Sequence, residues 1–194
     1  MSTPLTAIYG GSFDPVHLGH IRLARYILAL GIVDEIWMMP GRVNPLKEGV
    51  LTPASAADRV AMLSLAVEGI PGLRVDDTEL HLPSPSYTYD TLCHLRRQHP
   101  DRRFTIIVGA DNIEIFPKWR NGDKILSEFG VIAYPRPGYT LKGALPAGGT
   151  LLADAPQYDI SSSAIRAAIA AGAPTDTMLP PSVASYIATH ALYR

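Results

Sequence analysis

Two histidines three residues apart, His17 and His20, stand in the segment Tyr9-Gly10-Gly11-Ser12-Phe13-Asp14-Pro15-Val16-His17-Leu18-Gly19-His20. A short apolar run (Leu5, Ala7, Ile8, Tyr9) precedes them and reads as a strand, and Ile21, Ala24 and Leu28 follow in a helix-like pattern. Glycines at a strand end let backbone N–H groups approach a ligand closely, and the start of the next helix attracts anions. Both imidazoles can then face the same anion. The chemistry such a segment offers is the holding of a polyphosphate, with neutral or cationic imidazoles stabilising its charge. The segment is neither a Gly-x-x-x-x-Gly-Lys-Ser/Thr phosphate loop nor a Gly-x-Gly-x-x-Gly dinucleotide fingerprint, so a simple hydride-transfer enzyme loses its main support. A metal site would need a third protein ligand, and no Cys or acidic residue stands at matching spacing.

A second candidate is Asp159-Ile160-Ser161-Ser162-Ser163-Ala164-Ile165-Arg166. Serines that open a helix are ordinary N-caps. The same geometry also offers hydroxyls and unpaired N–H groups to a phosphate, with Arg166 one turn further in as a bidentate donor. Paired with the first segment, the phosphate reading is the better one.

These residues need a scaffold that brings both segments to one edge. Strands are expected at 6–9, 35–40, 73–76, 104–109, 131–134 and 150–153, and helices at 19–30, 54–68, 87–98, 123–128, 162–171 and 181–191. Phe104-Thr105-Ile106-Ile107-Val108 is nearly continuous in apolar or β-branched residues, as a central parallel strand covered on both faces should be. In the second helix Val60, Leu63 and Val67 share a face, and Asp58 with Arg59 marks its wet side. Strand–helix alternation predicts a single-domain, Rossmann-like α/β fold over residues 1–194, its mostly parallel sheet flanked by helices and its site at the strands' carboxyl ends. Residues 40–53 and 135–149 are the loop-rich stretches.

The chain has 194 residues, 47% hydrophobic and 18% charged, which is ordinary for a globular enzyme. Seventeen Lys and Arg against eighteen Asp and Glu leave a net charge of −1, against a general nucleic-acid binder. No targeting segment or membrane-length apolar run is evident, and a soluble cytoplasmic protein is expected. The lone Cys93 cannot form an internal disulfide and reads as an inert buried or half-buried thiol. His81, His94, His99 and His190 read as surface or half-buried, Trp37 as core, and Arg96, Arg97, Arg102 and Arg103 as a solvated face.

The two segments together resemble the signatures of the HxGH nucleotidyltransferase superfamily, Gly-x-Ser/Thr-Phe-Asp-Pro-x-His-x-Gly-His and Ile-Ser-Ser-x-x-Ile-Arg. Within it the chain resembles the bacterial nicotinate-nucleotide adenylyltransferases nearly end to end. That resemblance runs through Asn44-Pro45-Leu46-Lys47, Pro85-Ser86-Tyr87-Thr88, Gly109-Ala110-Asp111-Asn112, Phe116-Pro117-Lys118-Trp119, Arg136-Pro137-Gly138-Tyr139, and the closing Leu179-Pro180, Tyr186-Ile187 and Leu192-Tyr193-Arg194. It implies transfer of AMP from ATP to nicotinate mononucleotide, with Mg²⁺ travelling on the ATP phosphates and no dedicated protein metal site. It also implies that His17, His20 and Arg166 serve the chemistry. Gly10, Gly11, Ser12, Phe13, Lys47, Gly109, Asp111, Ser161 and Ser162 would join them around ATP. Many relatives carry Pro-Pro-His-Lys where this chain has Asn-Pro-Leu-Lys, so Lys47 is kept and a loop histidine is absent. Gly109 and Asp111 would bind the adenosine ribose, the lesser alternative for Asp111 being a cap for a helix over 112–116. Tyr87, Thr88 and Trp119 would hold the nicotinate, its ring against the indole and its carboxylate on N–H groups around Thr88. A homo-oligomer is left open.

Overall fold

The computed structural model describes residues 3–42, 54–136, 138–139, 145 and 147–194. The loop-rich stretches are therefore described only in part, and Lys47 and Pro137 lie outside the described residues.

Alternation along the strands decides the architecture. In β1 (Leu5–Gly11) Ala7 and Tyr9 point to one face and Ile8 to the other. Two further strands repeat the pattern. In β2 (Glu35–Pro40) Ile36 and Met38 oppose Trp37 and Met39, and in β4 (Arg103–Gly109) Ile107 opposes Ile106 and Val108. With β3 (Leu73–Val75), β5 (Val131–Tyr134) and β6 (Gly149–Leu151) they form one six-stranded sheet of order β3-β2-β1-β4-β5-β6, parallel at every pairing. A sheet apolar on both faces has to be covered on both. One face is packed by α1 (Leu18–Ala29), α2 (Ala56–Val67), α7 (Ser162–Ala170) and α8 (Pro181–Thr189). The other is packed by α4 (Thr88–Gln98) and α6 (Gly122–Glu128). Each fully buried Leu, Ile or Met in these layers contributes about 1.5–3 kcal/mol.

The strand order reverses at β1, whose neighbours are β2 and β4, so the carboxyl ends of β1 and β4 open a crevice. Gly10, Gly11 and Gly109 sit there, where Tyr9 pairs with Ile107 and Gly109 with Tyr134.

Every expected strand and helix is present, with no end moved by more than two residues. Among the described residues, three short helices were not expected: α3 (Thr78–His81), α5 (Ala110–Ile113) and a 3-10 turn, Phe116–Lys118. Arg59 corrects the reading of the second helix, being only 2% exposed and part of the buried face. Arg102 likewise leaves the solvated group. It pairs with Glu35 at 2.9 Å and lies over the Trp37 ring at 5.2 Å, covering the edge of a fully buried indole. Trp37 is core and Cys93 half-buried, as expected. Among the described residues no helix is long and apolar enough to cross a membrane.

Candidate active site

His17 is the N-cap residue of α1 and is 6% exposed. Its ring stacks on that of His20 with centroids 3.6 Å apart, and the His17 amide donates to Nδ1 of His20 at 3.3 Å. An Nδ1 that accepts leaves the neutral His20 ring its proton on Nε2, so the free N–H faces away from the backbone. Phe13 and Tyr9 meet His20 edge-on, with ring centroids 5.0 and 6.1 Å away. Burial, then the charge of Arg136, lowers the His17 pKa to about 4. Burial first, then His17 and Arg136, also pushes His20 well below the ordinary imidazole value. Both rings are therefore neutral at pH 7, and an arriving polyanion would pull both pKa values upward.

Gly19 has a local steric reason. A Cβ there would lie 3.0 Å from the His17 Nδ1 and 3.3 Å from the Tyr158 Cβ. The first α1 amide, of Leu18, donates to the Met178 carbonyl at 2.9 Å, so that helix start is partly used by the chain itself.

The second segment lands on the first. The Ser162 hydroxyl donates to the Pro15 carbonyl at 2.9 Å, and Arg166 donates to the Asp14 carbonyl at 2.7 Å and toward the Ser163 hydroxyl at 3.4 Å. Ser161 is the N-cap of α7 and accepts from the Ala164 amide at 3.1 Å. Residues 10–20 and 161–166 thus form one surface, with part of the Ser162 and Arg166 donor capacity spent on holding it together. Phe13 is 1% exposed, with its ring edge-on to those of Tyr9 and His20.

Beyond β4, Gly109 is the N-cap residue of α5, and Asp111 lies inside that helix without capping it. The capping alternative is therefore set aside. Asp111 Oδ1 instead accepts from Asn112 at 3.2 Å and pairs with the Arg136 Nε at 3.4 Å. A Cβ on Gly109 would collide with both Asp111 and Arg136. Arg136 also donates to the Tyr134 hydroxyl at 3.2 Å, which lies 3.4 Å from that of Tyr9. Arg136 is thus an unassigned cation beside the histidines. Its position just past the carboxyl end of β5 was the available signal.

Tyr87 caps α4, and Thr88 is that helix's first residue. Arg120 stands over the Tyr87 ring at 4.7 Å and 3.8 Å from Asp90, which draws the segment next to Trp119 onto the α4 start. Trp119 is half-buried, stacked on Phe116 at 4.7 Å, and its indole N–H has no partner among the described residues. Ser86 donates to Glu79 at 3.1 Å, and a Cβ on Gly41 would lie 3.4 Å from that carboxylate. Gly41 in turn donates to the Gly11 carbonyl at 2.8 Å, so the approach to Tyr87 adjoins the end of β1. Among the described residues no three His, Cys, Asp or Glu side chains cluster as metal ligands.

A parallel sheet with a paired-histidine helix start at its switch point and a serine–arginine helix start against it presents one donor-rich surface suited to a polyphosphate, and the class of protein follows from the relatives that share it. Residues 8–168 match the cytidylyltransferase-like family. The chain is 36% identical to the nicotinate-nucleotide adenylyltransferase of Bacillus subtilis, over 96% of each. It is 41% identical to a "Probable nicotinate-nucleotide adenylyltransferase" of Bacteroides fragilis, over 94% of this chain and 90% of that one. The chain belongs to the nicotinate-nucleotide adenylyltransferase family. Its fold matches that of Plasmodium falciparum nicotinic acid mononucleotide adenylyltransferase complexed with NaAD, with a TM-score of 0.79 over 98% of this chain and 97% of that one at 24% identity.

Proposed function

We propose that this chain joins ATP to nicotinate mononucleotide. A phosphate oxygen of the mononucleotide attacks the α-phosphorus of ATP, the bond from that phosphorus to the bridging oxygen breaks, and pyrophosphate leaves. The product is nicotinate adenine dinucleotide, made in one step of NAD biosynthesis. In-line transfer of this kind asks the protein for positioning and charge stabilisation rather than a nucleophile.

The junction of the two segments carries this reading. His17 caps α1 and His20 lies in its first turn, directly after a turn whose Asp14 and Pro15 carbonyls are gripped by Arg166 and Ser162. His20 would present its Nε2–H to the charge that grows on the α-phosphate, with His17 beside it. Neutral imidazoles suit the task, since the buried site carries no fixed histidine charge until a polyanion enters. Ser161, Ser162 and Arg166 would hold the β- and γ-phosphates, and backbone amides from Gly10 to Phe13 would line their path. Lys47 would add a cation. Gly109 and Asp111 would receive the ribose hydroxyls. Tyr87, Thr88 and Trp119 would take the nicotinate, with free α4 amides meeting its carboxylate.

The donors around the turn are imidazoles, hydroxyls, amides and a guanidinium, which suit an anion and not a carboxylate cage for a hard cation. Mg²⁺ would therefore be held by the ATP phosphate oxygens and would neutralise charge on the departing pyrophosphate. The test is a pyrophosphate-release assay with ATP and a panel of phosphate acceptors. Release with nicotinate mononucleotide, and dinucleotide formation in equal amount, is expected. Release only with a thiol-bearing phosphate acceptor, or none at all, would refute the proposal.

A further inference from the structure

Asp14 is a carboxylate in the middle of a segment read as receiving polyphosphate, where a free negative charge would repel the ligand. Its surroundings engage one of its two oxygens, while Oδ2 is buried without a hydrogen-bond partner among the described residues. The residue is 1% exposed, and its Oδ1 accepts from the Tyr193 hydroxyl at 2.5 Å and from the Ala54 amide at 3.3 Å. Arg59, itself 2% exposed, supplies a nearby compensating cation. One terminal nitrogen of Arg59 donates to the carbonyls of both Ser12 and Gly41 at 2.8 Å, tying the turn after β1 to the end of β2. Burial, then the bond to Asp14, holds the Tyr193 phenol far above its ordinary pKa, so the hydroxyl stays a donor.

The turn needs such restraint. Phe13 has φ +46°, a left-handed conformation that a bulky residue keeps only where its surroundings impose it. Tyr193 and Ala191 also have positive φ, +64° and +52°, so the C-terminal turn is bent to deliver the hydroxyl. The His17 amide and ring follow Asp14 by three residues, and a shift of the turn would move both histidines.

We propose that Tyr193, acting through Asp14, is a positioning residue for adenylyl transfer: its hydroxyl locks the Ser12–Pro15 turn in the conformation that aims His17 and His20 at the ATP phosphates. The inference rests on the ATP reading of that segment. Tyr193→Phe keeps the ring and removes only the oxygen. At a temperature where the variant is fully folded, its KM for ATP is expected to rise about five- to twentyfold, with kcat lowered and the mononucleotide KM within about twofold of wild type. Asp14→Asn should show an ATP-selective defect at least as large. Adding Tyr193→Phe to Asp14→Asn should cost less than about a further twofold, because both act through one bond. A lower melting temperature with unchanged ATP kinetics would overturn the proposal, as would equal losses for both substrates or fully additive losses in the double variant. Wild-type protein that binds no ATP in a calorimetric titration would instead overturn the ATP reading, and this inference with it.

Discussion

His20→Ala should abolish most turnover while leaving the protein folded, and the structure supplies both magnitudes. In the folded state the imidazole accepts one long hydrogen bond, 3.3 Å from the His17 amide, worth about 0.5–1 kcal/mol. Its stack on His17 and edge contacts with Phe13 and Tyr9 bring the whole cost to about 1–3 kcal/mol, below the stability of an ordinary domain. For the proposed reaction, the loss would be one preorganised N–H donor beside the growing phosphate charge. Such a donor is worth about 3–4 kcal/mol in the transition state, or roughly 10²–10³ in kcat. The assay is initial-rate pyrophosphate release at saturating ATP and mononucleotide, with thermal unfolding measured on the same preparation. His20→Gln, which restores an N–H near the Nε2 position, should recover about tenfold of the loss. A folded His20→Ala enzyme with kcat within about tenfold of wild type would refute the argument, since the Nε2–H would then face no developing charge.

Arg166→Ala should weaken ATP binding by about 1.5–3 kcal/mol with little effect on the mononucleotide, and equal losses in a binding titration would place Arg166 outside the triphosphate site. Nicotinate mononucleotide should exceed its amide analogue in kcat/KM by on the order of 10², because the amide turns an NH₂ toward the α4 amides; a preference for the amide would sink that pocket. Trp119→Ala should reduce activity with the nicotinate substrate by about 1 kcal/mol beyond the lost buried area and leave ATP affinity unchanged, which the same kinetics would check. His17 makes the fold acid-sensitive. Its pKa falls from 6.5 to about 4 on folding, so the unfolded chain takes up the proton first and stability is lost as pH drops through that window. Denaturant unfolding should show wild type losing about 3 kcal/mol relative to His17→Gln between pH 7 and 4, and parallel curves for the two would refute the shift.

Much of the fold and part of the candidate site can be read from the chain. Strand alternation and the unbroken Phe104–Val108 run announce a covered parallel sheet. The glycine–histidine and serine–arginine segments carry local patterns that physics connects to phosphate. Arg59 shows where a local cue misleads. Beside Asp58 it looks solvated, yet it shares a helical face with Met62, Leu63 and Ala66, all buried. Its partners are backbone carbonyls, and carbonyls leave no mark in a sequence. Asp14 and Tyr193 are 179 residues apart, and no periodicity joins them. Arg136 is visible only once β5 is known to end near the crevice. Asp111 looked like a cap because short acidic residues often are, but Gly109 takes that place and leaves the carboxylate to meet Arg136.

Three of the bonds that fasten the turn before α1 reach across almost the whole chain: Ser162 to Pro15 spans 147 residues, Arg166 to Asp14 spans 152, and Tyr193 to Asp14 spans 179. Closures that long are late events in folding, because chain entropy opposes them until the sheet has brought their ends together. A nascent chain that has just completed β5 already has the strands that carry Gly10, Gly11 and Gly109. It still lacks every side chain that grips Asp14 and Pro15. The surface formed by residues 10–20 and 161–166 therefore assembles after the framework beneath it. By linkage, a nucleotide held by both segments as proposed would stabilise only copies in which α7 has docked, so occupancy would report that this closure has been made.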